Sequence, residues 1–483
     1  MNWDDFAKWG GRISNWAADY HKTIRDLPVR AQTKPGEIAA SLPDTPPESG
    51  EAMEAIMADF ETKVMPGITH WQHPRFFAYF PSNAAPPSML AEFLVTSIAP
   101  QCMLWQTSPA ATEVETKMLD WLRQAIGLPN EFSGVIQDSA SSATLAAVLT
   151  MRESALEWTG NTKGLAGNAA LRIYCSSEVH TSIDRAIWVS GIGSDNLVRI
   201  PITGELRGMD VAKLEDTIEA DIAAGLKPAG IIACTGGTGM GACDDLEAVM
   251  AIAKKYDLYT HVDAAWAGAA MICPEFRHLW KGVEEADSIV FNPHKWMGAQ
   301  FDCSAHFLKD PDSLVKTLAI QPEYLKTQGH DGLINYSEWS IPLGRRFRAL
   351  KIWFLIRYYG LEGLRERIRN HVKWSVALAD RLRAEPDFTI HTEPVLSLFT
   401  FLYTPPEKGE NRVHEGGEFE HEEALNAQLV ADLNNDGRIY VTQTRVDGRF
   451  VIRFTVGQFN VEEKDVMDAF DVITEIARGE AAT

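Results

Sequence analysis

Between about Asn83 and Val315 the chain alternates short apolar runs with longer stretches that are apolar on one face only. The short runs are Gly134–Gln137, Leu171–Ser176, Leu197–Ile202, Gly230–Thr235, Tyr259–Asp263, Ser288–Asn292 and Cys303–Leu308, the length and texture of buried strands. Ala143–Glu157, Asp210–Ala224 and Leu246–Tyr256 lie between them and carry apolar residues at helical spacing. Strand–helix alternation predicts an α/β domain with a mostly parallel, seven-stranded sheet covered by helices. A ligand of such a sheet belongs beyond the carboxyl ends of its strands.

The flanks differ. Trp3, Phe6, Ile13, Trp16, Tyr20 and Ile24 fall largely at three- and four-residue steps, an amphipathic helix followed by a proline-rich passage from Leu27 to Pro47. So aromatic a stripe needs a cover, either another subunit or the chain's own body. Gln321 to Trp339 has no apolar periodicity and reads as a long loop, functional or disordered. A bulky helix, Phe347–Tyr359, follows it, and a smaller α+β segment closes the chain. Within that segment Pro405 to Glu423 is an acidic, Gly-rich excursion.

At 483 residues the chain is long enough for two or three lobes. Its formal charge of −21 excludes a nucleic-acid binder, which needs clustered Lys and Arg. Six scattered cysteines without a C-x-x-C pair suggest neither disulfides nor a metal site and fit a reduced, cytoplasmic compartment. No secretory signal and no membrane-spanning stretch is expected from the pattern.

The chemistry gathers at strand ends. In Phe291-Asn292-Pro293-His294-Lys295-Trp296 a lysine ends an apolar run, where an ammonium must be paired, neutralised, covalently used or led back to the surface. Gly237-Thr238-Gly239-Met240-Gly241-Ala242 imitates a dinucleotide-binding turn with Asp263 ending the next strand, but that reading leaves Lys295 unexplained. Gln137-Asp138-Ser139-Ala140-Ser141-Ser142 leads from a strand into a helix. Its small residues and N–H groups suit a phosphate, or merely an N-cap. Asp263 ends another strand, and Thr238 and His180 complete the ring from two loops. Phosphate seat, buried acid and strand-end lysine are what pyridoxal 5'-phosphate requires.

Met65-Pro66-Gly67-Ile68-Thr69-His70-Trp71, Phe76-Phe77-Ala78-Tyr79-Phe80-Pro81, Ser139-Ala140-Ser141, His261-Val262-Asp263-Ala264-Ala265, Cys273-Pro274-Glu275-Phe276-Arg277-His278, Asn292-Pro293-His294-Lys295-Trp296 and Ile341-Pro342-Leu343-Gly344-Arg345-Arg346-Phe347-Arg348 occur in that order. In this series the chain resembles the group II pyridoxal-phosphate-dependent decarboxylases, most of all the aromatic-L-amino-acid decarboxylases. The resemblance implies the aspartate-aminotransferase type of fold (PLP fold type I). It divides the chain into an N-terminal helical dimerisation segment over 1–84, a large cofactor domain over 85–370 and a small domain over 371–483. It also implies a homodimer with exchanged N-terminal helices.

By family role Lys295 is the Schiff-base lysine, Asp263 pairs with the ring nitrogen, and His180 stacks on the ring with Ala265 on the opposite face. Thr238 approaches the phenolic oxygen, while Ala140, Ser141 and Asn292 hold the phosphate. His294 lies beside the lysine, and Tyr336 is the loop tyrosine that protonates carbon. Trp71, Tyr79, Phe80 and Pro81 match the wall that recognises an aromatic substrate, with Gln101 and Met103 where relatives place an apolar and an aromatic residue. Relatives often carry Gly at the position of Asp138. A carboxylate beside a phosphate should turn away, for instance to cap the helix.

The implied reaction is decarboxylation of Trp, Tyr, dihydroxyphenylalanine or Phe to the arylalkylamine. No Arg or Lys occurs between Phe76 and Thr116 that could pair with an acidic side chain. Gln101 is expected to offer a hydrogen bond to a ring N–H or hydroxyl. The alternatives are a decarboxylase of another amino acid and an aromatic aldehyde synthase, whose members have Phe where Tyr336 stands. More remote are an NAD-dependent oxidoreductase and a non-catalytic relative that has lost the cofactor, against which Lys295, Asp263 and His180 speak.

Overall fold

The computed structural model describes residues 1–320, 332–406 and 418–479. It divides into two compact units, one of Met1–Pro81, Trp374–Glu393 and Phe399–Thr483, the other of Ser82–Lys373 with Pro394–Leu398.

The larger unit is built on β1 (Ser133–Gln137), β2 (Leu171–Ser176), β3 (Leu197–Ile200), β6 (Lys227–Cys234), β7 (Tyr259–Asp263), β8 (Ser288–Phe291) and β9 (Ser304–Leu308). A two-residue ladder, β4 (Ile202–Thr203) with β5 (Gly208–Met209), stands apart. The seven strands take the order β1-β9-β8-β7-β6-β2-β3. The contacts from β3 through β8 are parallel, and β9 runs against both its neighbours. All of β8 and β9 is buried, which is why these strands read as unbroken apolar runs rather than alternating ones. The sequence reading places all seven strands within three residues of their observed ends.

The helices begin where side-chain oxygens can cap them. Ser139 Oγ accepts from Ser142 N at the head of Ala140–Ala155, Asp210 caps Val211–Ala223, and Asp245 caps Leu246–Lys255. The expected helix Phe347–Tyr359 starts later, at Ala349, and runs to Ala384. Gly360, at φ 65° and ψ 168°, breaks it into two helices end to end.

In the smaller unit β10 (Phe388–Val395), β11 (Leu398–Tyr403), β12 (Thr442–Val446) and β13 (Arg449–Thr455) form a sheet of order β10-β11-β13-β12. Asp447 and Gly448, both at positive φ, make the tight turn between β12 and β13. Phe399, Phe401, Phe454, Leu433 and Ile473 fill the core beneath the helices Glu418–Asp436 and Glu463–Arg478.

The first helix, Trp3–Thr23, has two kinds of surroundings. Its C-terminal half packs on its own unit: Trp16 stacks on Tyr20 and meets Phe60, and Tyr20 Oη bonds to His70 Nδ1 at 2.9 Å. Its N-terminal half leaves Trp3, Phe6 and Ile13 exposed. Of the expected loop Gln321–Trp339, residues 321–331 lie outside the described residues, as do 407–417 of the excursion Pro405–Glu423. Among the described residues no helix is long and apolar enough to cross a membrane, and all six cysteines are buried free thiols.

Candidate active site

β8 ends at Phe291, and the chain must reverse before β9 can run back beside it. The reversal is a single π turn, Pro293–Met297, ended by Gly298 at φ 89°. Lys295 sits in this turn, half-buried, with its N–H donating to Asn292 O at 2.9 Å. Residues 83–85 staple the turn from outside. Asn83 Nδ2 donates to Lys295 O (2.7 Å), Asn83 N to His294 O (2.9 Å) and Ala85 N to Gly298 O (2.9 Å). Every backbone group that fixes the lysine is thus occupied by protein, while its side chain is presented at the strand ends.

Asp263 ends β7 one strand away. It is 5% exposed; its Oδ1 accepts from Ala265 N at 3.0 Å, and Oδ2 takes no protein hydrogen bond among the described residues. His180, on the loop after β2, feels both Asp263 and Lys295. Crowding by protein atoms lowers its pKa although its edge is open to solvent; Asp263 acts to raise it and Lys295 to lower it. His180 Nδ1 accepts from Ser182 N at 3.1 Å, so the neutral ring carries its proton on Nε2. His180 thus stands in the field of both the strand-end carboxylate and the turn lysine.

The anion seat is next to them. Ala140 and Ala143 pack on Val290, with Ala265 against the same cluster, and Asn292 N donates to Ala265 O at 2.8 Å. The first N–H groups of the helix, at Ala140 and Ser141, have no intrahelical acceptor. Asn292 Oδ1 accepts from Ser304 Oγ at 2.6 Å, which leaves the NH2 end of the amide as the donor. Two backbone N–H groups, a side-chain amide, an exposed Ser141 hydroxyl and a helix N-terminus suit a phosphate. The cap is Ser139; Asp138 Oδ1 accepts from Ser139 Oγ (3.2 Å) and lies in the field of Arg348. His294 is buried, with Nδ1 at 2.7 Å from Cys303 O and 3.0 Å from Cys303 N. Burial first, and the charge of Lys295 second, bring its pKa down to about 3, so the ring is neutral. Thr238 lies on the loop after β6.

That loop does not bind a dinucleotide. The N–H groups of Gly236 and Gly237 both point to Ala242 O (2.9 and 2.8 Å), and Gly241 N donates to Gly237 O (2.8 Å). Donors that would cradle a pyrophosphate are consumed within the turn, and the next helix starts only after Asp245.

Other expected site residues form separate groups. In the smaller unit Trp71 stacks on Tyr79 (5.7 Å between centroids, 14°), and both are exposed. Phe80 and Pro81 are buried and fill the space that a side chain on Gly457 would take. Tyr440 completes the shelf, edge-on to Phe76 with its hydroxyl 3.4 Å from that of Tyr79. The sequence reading missed it, since nothing local at Tyr440 links it to a residue 361 positions earlier.

In the larger unit Gln101 and Met103 join the segment around Tyr336: Arg345 N donates to Gln101 Oε1 (2.8 Å) and Ser337 N to Met103 O (3.0 Å). The Gln101 carbonyl expected to serve a ring N–H is therefore committed to the backbone. Tyr336 is not gathered with Lys295, Asp263 and His180. It is buried, its hydroxyl is bonded to Thr116, and the charges acting on it are those of Glu115 and Arg345.

Residues 35–404 match the family model described as the pyridoxal-dependent decarboxylase conserved domain. The chain is 36% identical to tryptophan decarboxylase 2 of Oryza sativa subsp. japonica, covering 99% of this chain and 95% of that protein. It is also 36% identical to the phenylacetaldehyde synthase of Arabidopsis thaliana, over 99% of this chain and 96% of that one. The crystal structure of Oryza sativa TDC with PLP and tryptamine superposes with a TM-score of 0.94 at 33% identity, covering 100% of this chain and 99% of that chain. Strand-end lysine, buried acid and anion seat thus have a common explanation: the chain belongs to the pyridoxal-dependent decarboxylase family, carboxy-lyases that work with pyridoxal phosphate.

Proposed function

We propose that this protein removes CO2 from aromatic L-amino acids and releases the arylalkylamine. The observation that carries the reading is that Asp263 ends β7 and Lys295 sits in the turn after the adjacent β8, with His180 in the field of both and the open N–H groups of Ala140 and Ser141 at the head of a helix. Relatives described as tryptophan and tyrosine decarboxylases, and the exposed Trp71–Tyr79 stack, support an aromatic side chain.

When bound, pyridoxal phosphate supplies an electron sink for the pair left at Cα as CO2 departs. Lys295 Nζ would hold the cofactor covalently. The unshared Oδ2 of Asp263 would keep a proton on the ring nitrogen, and the Ala140 and Ser141 N–H groups with the Asn292 amide would take the phosphate. His180 would lie on the ring face opposite Ala265, and Thr238 would approach the phenolic oxygen. A neutral His294 adds no second positive charge beside Lys295. Tyr336 would deliver the proton to carbon, a role open to a phenol. That phenol favours amine release over the aldehyde chemistry named for the Arabidopsis relative.

A homodimer accompanies this reading. The first helix exposes Trp3, Phe6 and Ile13, and the helix Pro86–Ile98 exposes Leu90, Phe93, Leu94 and Ile98. Contiguous apolar faces of this kind favour burial against a second copy. Free buried thiols support a cytoplasmic location.

The test is a visible spectrum of the purified protein with pyridoxal phosphate, then amine release from Trp, Tyr, dihydroxyphenylalanine, Phe and Glu. A visible band that Lys295→Ala abolishes, with turnover of aromatic substrates, is expected. Preference for Glu would overturn the aromatic reading.

A further inference from the structure

The loop from Gly298 to Cys303 returns the chain from the lysine turn to β9, and a buried charge holds it. Lys351, in the first turn of the helix Ala349–Ala384, is only 2% exposed. Its Nζ donates to Gln300 O (3.0 Å), Gln300 Oε1 (3.1 Å) and Asp302 O (3.0 Å), which uses all three ammonium protons. Glu92 Oε2 stands at 3.5 Å as the nearest carboxylate. Arg348, one turn earlier, grips the same loop through Asp302 Oδ1 at 2.9 Å, and Ser88 Oγ accepts from Gln300 N at 2.6 Å.

Burying an ammonium costs several kcal/mol unless its partners are well placed. The charge is matched to this loop: without it Gln300 O, Gln300 Oε1 and Asp302 O would lose their donor. What it holds lies next to the chemistry. Cys303, the residue after Asp302, supplies both backbone groups that face His294 Nδ1, and His294 precedes Lys295. The Phe301 ring meets the His294 imidazole edge-on at 4.8 Å. The charge of Lys351 also reaches His294, where it helps to keep the ring neutral.

We propose that Lys351 is a positioning residue for the decarboxylation: through Gln300 and Asp302 it fixes the loop that orients His294 and the lysine turn. It touches neither substrate nor cofactor and acts through the loop. The assignment rests on Lys295 being the cofactor lysine, which Lys295→Ala tests separately because that variant loses the visible band whereas Lys351→Met keeps it.

Lys351→Met retains the volume and removes the charge and all three donors. Far-UV circular dichroism should be unchanged. Displacement of reacting groups by an ångström costs about a hundredfold in rate, so kcat should fall at least about tenfold with KM within about threefold. The visible circular dichroism per mole of bound pyridoxal phosphate should change, and the apparent Kd of the apo-protein for pyridoxal phosphate should rise. A loaded variant with parental kcat, visible dichroism and Kd, and only a lower Tm, overturns the proposal. If Lys351→Met does not fold, Gln300→Ala removes one acceptor and leaves two carbonyls to the ammonium. Smaller shifts in the same three readouts support the proposal, and parental values of all three overturn it.

Discussion

Tyr336 Oη and Thr116 Oγ1 lie 2.9 Å apart, and the Arg345 guanidinium covers the Tyr336 ring at 4.9 Å. Burial pushes the phenol well above its usual pKa, so it keeps its proton and can give it only to a strong base such as a carbanion. To act at Cα it must leave Thr116. Tyr336→Phe should lower amine release by about a hundredfold or more, the ordinary contribution of a general acid, with any remaining flux appearing as aldehyde at the cost of O2. Thr116→Val keeps the phenol and should still release amine, while losing about 1 kcal/mol for one buried hydrogen bond. Assays of amine, aldehyde and O2 uptake on both variants decide it. Amine release by Tyr336→Phe at the parental rate removes the tyrosine from the mechanism.

Arg345 also supports the edge of the sheet. Its Nη2 donates to Glu115 Oε1 (2.6 Å) and to Ile136 O (2.8 Å), Glu115 Oε1 accepts from Ile136 N (2.9 Å), and both side chains are 2% exposed. Removing one partner strands the other charge, so Arg345→Met or Glu115→Leu should each cost about 3–5 kcal/mol. The double variant should be less destabilised than either single one. Urea unfolding of the three proteins tests the pair, and a single-variant loss below about 1 kcal/mol would show it to be solvated.

Acid should destabilise the protein earlier than its surface carboxylates imply. His73, His294, His306 and His371 are held down to about 3 and His261 well below its ordinary value, in each case chiefly by burial. The unfolded chain takes up these protons near the ordinary histidine value of about 6.5, the folded chain only near 3. Between those limits the unfolded state binds more protons, so stability falls as pH falls, by up to about 1.4 kcal/mol per pH unit for each group. Asp244, pushed up to about 6 by burial, opposes this between its unfolded value and 6, because there the folded state is the better proton binder. The histidines outnumber it. Tm should be flat between about pH 7 and 8 and drop from about 6.5 downwards, and His306→Leu should flatten the drop. An equal slope in the variant would mean His306 is not part of it.

Legibility followed the locality of each interaction. Lys295 and Asp263 could be found because each ends a run of buried residues, and a charge there breaks the pattern of its own strand. The helix at Ala140 announced itself through Ser139 and its small neighbours. Lys351 did not, because in sequence it is one basic residue in a helix among several; only the return of Gln300 and Asp302 beneath it shows why it is charged. Tyr440 and Asn83 were missed for the same reason, as their partners are hundreds of residues away. The packing of Phe80 over Gly457 was not legible either, because an aromatic residue in an aromatic motif gives no sign of which way it faces. The absent side chain of Gly457 decides that.

Gln101 gives the sharpest test of substrate choice. Its Oε1 is held by Arg345 N at 2.8 Å, and a Cβ added to Gly344 would come within 3.3 Å of its Nε2. With the carbonyl committed, the end left to a ligand is an NH2 donor, which suits the oxygen of a phenol or catechol better than an indole N–H. Replacement by Ile would remove the acceptor that Arg345 N uses and disturb the backbone along with the pocket. Gln101→Glu keeps that oxygen and exchanges the donor for an acceptor. A phenol O–H can turn round and donate to the carboxylate, and a hydrogen bond to a charged acceptor contributes about 1.5–3 kcal/mol, so kcat/KM for Tyr and dihydroxyphenylalanine should rise by about threefold or more relative to Phe. The ratio of Trp to Phe should hold or rise, since a carboxylate accepts an indole N–H. Rates for the four amino acids on parent and variant are the measurement. An unchanged Tyr-to-Phe ratio would take Gln101 out of substrate recognition and leave the choice of ring to the Trp71–Tyr79 shelf.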